Sequence, residues 1–264
     1  MTGSDFYYAS LYEHARAREQ HRAINALKVE LCAIPLTVSD TEVARVKLAW
    51  WDTEAADLIN GNPHHPLTQD YYATYGNVAE VGRALAALSN GLDKELGGRQ
   101  LATRDDQWAW FDNTFGPLYA VHASVSTQII EVAPDGWQAL GRWIEIGYSL
   151  LYLKPLMLRN LKRLPAADLA ASSCHWTDIE SGNNRTAVVQ LLQREVQITR
   201  DNIADILGRA PRHLRRIHRS LFTLGRIVER TLIEMQNDGY RAWRHRVELT
   251  PLRKLWIAWR MRRG

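Results

Sequence analysis

A pair of aspartates, Asp105 and Asp106, stands near the start of a predicted helix. Paired aspartates can hold Mg²⁺ against a diphosphate, because a hard cation needs several carboxylate oxygens. That chemistry needs a further carboxylate three or four residues later, where this chain has Ala109 and Trp110. A helix cap with acidic groups at the positive end of the helix dipole explains the pair more simply.

Two other groups contain residues of the types that bind metal ions. Asp201 and Asp205 lie four residues apart, with Glu195 earlier on the same predicted helix. Arginines are interleaved with them, so we expect a salt-bridged surface. His64 and His65 stand between two prolines without a carboxylate nearby, which favours a connecting turn over a metal site. The sequence has no nucleophile elbow, P-loop or dinucleotide fingerprint.

Basic and aromatic residues accumulate at the carboxyl end. The 264-residue chain has a formal net charge of +4, but residues 200–264 alone carry 16 basic and 6 acidic side chains. A helix over 252–263 would place Leu255, Trp256 and Trp259 on one side and cations on the other. This pattern is typical of a helix that binds anionic lipid. A closing helix that packs its tryptophans on the core has the same pattern.

Helical periodicity dominates the chain and predicts an all-α fold in one domain, 1–264, that ends in the basic, tryptophan-rich segment 240–264. We expect Pro35 to close the first long helix, Ser39 to cap the next, and Pro155 to kink or break a later one. The predicted helices cover residues 9–33, 39–60, 67–92, 104–130, 135–162, 184–207, 211–239 and 250–262. Two cysteines, no apolar leader and no long apolar span predict a cytoplasmic protein, which its basic tail could bring to the inner membrane.

Motifs at both ends of the chain resemble the squalene/phytoene synthase family of head-to-head prenyl transferases. In chain order they are Tyr7–Leu11, Arg22–Leu27, Glu42–Trp51, Gly61–Pro66, Asp238–Tyr240, Arg244–Val247 and Arg253–Leu255. The resemblance implies an all-α isoprenoid-synthase fold around a central cavity. Members of that family bind two prenyl diphosphates there, with Mg²⁺ held by two aspartate-rich motifs on facing helices.

Both aspartate-rich motifs have lost their aspartates in this chain. The first motif falls at Pro35, Leu36 and Ser39, and the second at Asn160 and Leu164. Each metal ion contributes several kcal/mol of charge stabilisation, and about 1.4 kcal/mol is a tenfold change in rate. We therefore expect a pseudoenzyme without prenyl transferase activity, with no catalytic residue, metal site or cofactor.

Four cations remain near the altered motifs or match the family. Arg159 and Arg246 occupy positions at which the family contacts phosphate, and Lys28 and Arg163 lie beside the altered motifs. These four side chains are the predicted binding residues for an anionic ligand.

The chain looks closest to a branch of the family that lacks the aspartates and includes a mitochondrial complex I assembly factor. This likeness implies lipid or isoprenoid binding, or an assembly or accessory role at the membrane. The expected partners are an isoprenoid or lipid, an anionic membrane surface, or another protein. Nucleic acid is not an expected partner.

Two alternatives remain open at the level of sequence. In one, the protein is a prenyl transferase whose Mg²⁺ is held by displaced carboxylates: Asp40, Asp52, Glu54, Asp57, Asp201 and Asp205. In the other, it is a scaffold whose cavity is filled by apolar side chains, among them Pro35, Leu36, Leu156 and Leu164.

Overall fold

The structure, a computed structural model, describes residues 3–76, 78–125, 136–181 and 185–263. This part of the chain forms fourteen α-helices and no strand, apart from one isolated bridge between Gln100 and Lys162. The helices are α1 Asp5–Ala9, α2 Ala15–Thr37, α3 Thr41–Ile59, α4 Pro66–Thr74, α5 Val78–Glu95, α6 Arg104–Val125, α7 Gly136–Leu151, α8 Leu153–Leu158, α9 Ala166–Ala171, α10 Trp176–Ser181, α11 Arg185–Arg209, α12 Arg212–Ile217, α13 Arg219–Asn237 and α14 Pro251–Arg263.

The boundary between α2 and α3 differs from the sequence prediction at two residues. Pro35 lies inside α2, which continues to Thr37, and the amide of Val38 still donates to the carbonyl of Ile34 at 3.0 Å. So close to the end of a helix, proline removes only one hydrogen bond. Asp40, and not Ser39, caps α3, because its Oδ1 accepts hydrogen bonds from the amides of Glu42 and Val43.

Several predicted helices are divided in the structure. The predicted helix 67–92 is replaced by α4 and α5, and 211–239 by α12 and α13. The predicted helix 9–33 corresponds mostly to α2, which begins at Ala15 and ends at Thr37. The break expected from Pro155 is confirmed: α7 ends at Leu151, the residue whose carbonyl would need the missing N–H of Pro155. The short helices α9 and α10 were not predicted. The ends of three predicted helices lie outside the described residues: 126–130, residue 135 and residue 184.

Buried side chains from most of the helices form one cluster that runs from Phe6 to Val247 along the chain. Helices α3, α5, α6 and α7 pack side by side in chain order. Gly91 lets α5 approach α6 closely, since a Cβ there would collide with Thr114. Within the described residues, no helix is both long enough and apolar enough to cross a membrane.

Candidate functional site

A buried ion pair joins two helices at the centre of the molecule. Lys28 of α2 and Glu145 of α7 are 8% and 4% exposed, and the Lys28 ammonium donates to Glu145 Oε1. The hydroxyl of Tyr119 donates to the same oxygen at 2.6 Å. Four aromatic rings surround the ammonium with their centroids 5.5–5.9 Å away, a distance at which cations and rings attract each other: Phe6, Phe115, Tyr119 and Tyr148.

The surroundings of this pair keep the neighbouring groups protonated. Burial, together with the charge of Glu145, raises the pKa of Tyr119 well above its ordinary value. Burial raises the pKa of Cys32, one turn after Lys28 on α2, to about 11. Tyr119 is therefore a hydrogen-bond donor and Cys32 a neutral thiol. Neither group is prepared to act as a base or a nucleophile at neutral pH.

Arg163 forms a second internal ion pair. Its Nε and Nη2 donate to the two carboxylate oxygens of Glu95 at 2.6 and 2.9 Å, and its guanidinium lies 5.2 Å from the ring centroid of Trp110. Although burial opposes the charged form, Glu95 raises the pKa of Arg163 above its ordinary value. The bidentate geometry occupies one side of the guanidinium with a protein carboxylate.

Arg159 connects the two places where the aspartate-rich motifs would fall. Its Nε donates to the carbonyl oxygen of Leu36 at 2.8 Å, and its Nη2 donates to that of Thr37 at 3.2 Å. The last carbonyl groups of a helix lack partners within the helix, and a cation at this end is favoured by the helix dipole. Arg159 therefore closes the end of α2 with protein contacts.

Arg246, the fourth predicted cation, lies in a more exposed position. Its guanidinium contacts the hydroxyl of Tyr152 and the carboxylate of Glu248, and stands 4.5 Å from the Tyr152 ring centroid. All four predicted cations thus have protein partners: Glu145, Glu95, the end of α2, and Tyr152 with Glu248. An anionic ligand would have to displace or share these contacts, and ligand binding by the four cations stays a prediction.

The carboxylates of the displaced-metal alternative do not converge. Asp40 caps α3, and Glu54 accepts hydrogen bonds from the amides of His64 and His65 in the turn that follows. The others each contact a different neighbour: Asp52 with Asn90, Asp57 with His64, Asp201 with Gln197, and Asp205 with Arg209. In the described ranges, no three His, Cys, Asp or Glu side chains are grouped so that they could hold a metal ion.

The aspartate pair of the sequence serves as a cap, as predicted. Thr103 donates through its amide and hydroxyl to Asp106 Oδ2 at 2.9 and 2.7 Å, and the amide of Asp106 donates back to the Thr103 hydroxyl. This reciprocal arrangement is a capping box at the start of α6.

Apolar residues fill the space beside the second motif position. Leu156 and Leu164 are 3% and 4% exposed, and with Arg163 they line a cavity of about 10 Å³, enough for one water molecule at most. Pro35 is buried and Leu36 half-buried at the first motif position.

Sequence reasoning missed the acidic partners of these cations. Glu145 and Glu95 come from α7 and α5, 117 and 68 residues away from Lys28 and Arg163. One signal was present, because Glu145 interrupts the most apolar stretch of the chain, and a charge there needs a buried partner.

Residues 2–128 match the sequence model of the squalene/phytoene synthase family. Among solved structures, a dehydrosqualene synthase in complex with a ligand superposes with a TM-score of 0.78, covering 99% of this chain and 92% of that one, at 14% sequence identity. The chain has the isoprenoid-synthase fold. No curated protein matches the sequence.

The family match covers slightly less than half of the chain, and the structural match shows the fold. The first motif position, Pro35, Leu36 and Ser39, falls at the end of α2. The second, Asn160 and Leu164, falls in the segment between α8 and α9 and not on a helix, although the resemblance implies motifs on two facing helices. Neither match distinguishes branches within the family, so the likeness to the aspartate-lacking branch stays a prediction.

Helix α14 of the synthase-like fold has two apolar faces. Ile257 and Ala258 are buried against α13, and Lys254 is buried with its Nζ 2.6 Å from Asp5 Oδ1. The opposite face leaves four large apolar side chains exposed, in fractions of 78%, 38%, 52% and 38%: Leu252, Leu255, Trp256 and Trp259. Of the two alternatives that the sequence left open, packing of these tryptophans on the core is not what the structure shows for Trp256 and Trp259, because Ile257, Ala258 and Lys254 occupy the buried face.

Proposed function

We propose that this squalene/phytoene synthase-like protein does not transfer prenyl groups and acts at an anionic membrane surface, as a lipid-binding accessory or assembly protein. The observation that carries the proposal is the exposed apolar face of α14. Leu252, Leu255, Trp256 and Trp259 have the spacing of one helix face, and the core does not cover them.

The charges around this face fit an anionic lipid surface. Arg260 lies beside the apolar side chains, with its guanidinium 5.2 Å from the Trp256 ring centroid. Arg253 is exposed as well and forms an ion pair with Glu234 at 2.7 Å. Basic residues near anionic headgroups contribute about 1 kcal/mol each, and tryptophans favour the boundary between headgroups and acyl chains. A helix with this distribution would lie in the plane of the interface.

The motif positions support the loss of prenyl transfer. Departure of a diphosphate from an allylic carbon needs strong neutralisation of charge, which hard metal ions supply through carboxylate ligands. At the end of α2 the chain has apolar side chains, and Arg159 occupies the adjacent carbonyl groups. The carbonyl groups of Leu36 and Thr37 at this place therefore already have a hydrogen-bond donor from the protein itself.

Membrane binding is tested by co-sedimentation with vesicles that contain one third phosphatidylglycerol in phosphatidylcholine. We expect the wild-type protein to sediment with these vesicles, but much less with pure phosphatidylcholine or in 0.5 M salt. The double variant Trp256→Ser/Trp259→Ser should lose about tenfold or more in partitioning, because two interfacial anchors are gone.

The matched control is Trp50→Ser, which removes a tryptophan of similar exposure (45%) on α3. It should bind anionic vesicles like the wild type. Failure of the wild-type protein to bind, or equal binding by the α14 variant, would overturn the membrane role.

Prenyl transfer is tested separately, with farnesyl diphosphate, Mg²⁺ and measurement of released pyrophosphate. We expect release at the rate of the protein-free buffer. Turnover that depends on Mg²⁺ would overturn the proposed absence of prenyl transfer and would favour a metal site made of displaced carboxylates.

A further inference from the structure

Helix α12 and the turns on either side of it form a strongly basic segment of the chain. Residues 206–228 contain six arginines and no aspartate or glutamate. Arg212 and Arg216 are exposed, and Arg215 and Arg219 are half-buried. Neither the altered motifs nor the apolar face of α14 accounts for this accumulation of positive charge.

These arginines have few acidic neighbours in the folded protein. Among the residues that the structure describes, Arg209 is the one arginine of residues 209–219 with a carboxylate within 4.0 Å, that of Asp205. Glu13 lies near Arg219, but its Oε1 accepts a hydrogen bond from the amide of Ser220 at 2.9 Å. The exposed side of α12 therefore has positive charge that its own surroundings do not neutralise.

Tyr12 connects this basic segment with the end of α14. The Nη1 of Arg219 donates to the main-chain oxygen of Tyr12 at 2.9 Å, and the guanidinium of Arg262 lies 5.3 Å from the Tyr12 ring centroid. Arg219 is the first residue of α13 and follows α12 closely, whereas Arg262 is in the last turn of α14. Two distant segments of the chain thus bring their cations to one residue.

An ion pair at the other end of α14 shows the direction of that helix. Arg253, near the start of α14, contacts Glu234, near the end of α13, at 2.7 Å. Because Arg262 and Arg219 meet at Tyr12, the last turn of α14 lies beside the start of α13. The two helices are therefore antiparallel, and α12 lies next to the carboxyl end of α14.

Arg262 also continues the exposed face of α14. It follows Leu255 by seven residues and Trp259 by three, and these spacings place side chains on the same side of a helix. The combined surface is apolar along α14 and basic at one end. This arrangement is complementary to a bilayer, in which anionic headgroups cover an apolar interior. Nucleic acid would match the charges but would leave the apolar side chains uncovered.

We propose that α12 is a second membrane contact, in which Arg212 and Arg216 bind the phosphate groups of anionic lipids beside the place where α14 lies in the interface. The inference rests on the membrane role of α14 and adds an orientation: the corner formed by α12, the start of α13 and the end of α14 faces the bilayer. Guanidinium groups suit this contact because they bind phosphate through paired hydrogen bonds. Leu214 and Ile217 are half-buried, so α12 contributes charge at the headgroups and does not insert.

The first test measures binding of Arg212→Gln/Arg216→Gln to vesicles that contain one third phosphatidylglycerol in phosphatidylcholine. We expect binding to weaken by about tenfold or more, because two cations that attract anionic headgroups are removed. The matched control is Lys47→Gln/Arg83→Gln, which removes two exposed cations from α3 and α5 and should bind like the wild type. Thermal unfolding of both variants separates lost binding from lost structure.

The second test determines the orientation of the wild-type protein on the same vesicles. Phenylglyoxal modifies accessible arginine side chains, and mass spectrometry measures the rate of modification at each position. We expect bound vesicles to slow the modification of Arg212 and Arg216 at least several-fold. Arg83 on α5 should react at the same rate with and without vesicles, because that helix faces away from the bilayer in the proposed orientation.

The outcomes separate this inference from the membrane role of α14. Vesicle binding by the wild type, with equal binding by the folded α12 variant or with Arg212 and Arg216 unprotected, would overturn the α12 contact and leave the role of α14 in place. No vesicle binding by the wild type would overturn both. Tighter binding to a single-stranded oligonucleotide than to vesicles, lost in the α12 variant, would assign these arginines to nucleic acid and also overturn the proposal.

Discussion

Arg159 donates a hydrogen bond from its Nε to the main-chain oxygen of Leu36 at 2.8 Å, and so joins the positions of the two missing aspartate-rich motifs. Family members would need this space for metal ions and diphosphate. In this chain a guanidinium that could have contacted phosphate instead completes the end of α2.

Replacing Arg159 should therefore affect stability. We expect Arg159→Ala to lower the free energy of unfolding by about 1 kcal/mol, because two carbonyl groups at the end of α2 lose a charged donor in a half-exposed place. Urea unfolding measures the change. Arg83→Ala, on the exposed face of α5, should change it by much less. Equal effects of the two substitutions would contradict a structural role for Arg159.

A larger loss of stability is expected when the buried pair of Lys28 and Glu145 is broken. Lys28→Met should cost about 3–5 kcal/mol, because Glu145 would remain in the core without its cationic partner. Lys28→Met/Glu145→Gln should be less destabilised than Lys28→Met alone, since the double variant leaves no unpaired charge. Urea unfolding of the wild type, both single variants and the double variant measures this coupling. Additive effects would show that the two side chains act independently.

Two buried histidines that contact each other, His21 and His122, predict sensitivity to acid. The Nδ1 atoms of His21 and His122 are 2.9 Å apart, so one ring must donate and the other accept, and burial lowers the pKa of His21 to about 4. Burial lowers the pKa of His122 well below its ordinary value too. In the unfolded chain both titrate near 6.5, so protons bind preferentially to that state. Their stabilising contribution is present above pH 6.5 and is lost as the pH falls towards 4.

The midpoint of thermal unfolding, measured between pH 7 and 4.5, should fall as the pH falls. His122→Phe should reduce this fall, because one group that charges on unfolding is removed and a phenyl ring can pack against Phe6 as the imidazole does. The control is His213→Gln, which removes an exposed histidine and should leave the dependence unchanged. An identical pH dependence in His122→Phe and the wild type would show that His122 does not cause the loss of stability in acid.

The two cysteines should react slowly with alkylating reagents in the folded protein. Burial raises the pKa of both Cys32 and Cys174 to about 11, so about one thiol in a thousand is ionised at pH 8, compared with roughly a quarter of free thiols. Mass spectrometry after iodoacetamide treatment should find little modification of the native protein and full modification in urea. Rapid labelling of native Cys32 would mean that the centre of the fold opens readily.

The sequence predicted the all-α class because helical periodicity is a local property, and it can be recognised when it continues over a long segment. It predicted less well where helices begin and end. Pro35 was expected to stop α2, but one lost hydrogen bond near a helix end is tolerated. Asp40 and Ser39 are both good caps by residue type, and only the backbone conformation selects Asp40.

What the sequence determined by itself is the set of available groups: a helical chain without aspartates at either motif position, with four candidate cations, Lys28, Arg159, Arg163 and Arg246. The tertiary structure alone decided what those cations contact, since an ion pair depends on side chains brought together from distant helices. It also decided which face of α14 is covered, because periodicity shows which residues share a face but not which face meets α1 and α13. Packing places Lys254 inside and Trp256 outside, the reverse of what hydrophobicity alone favours.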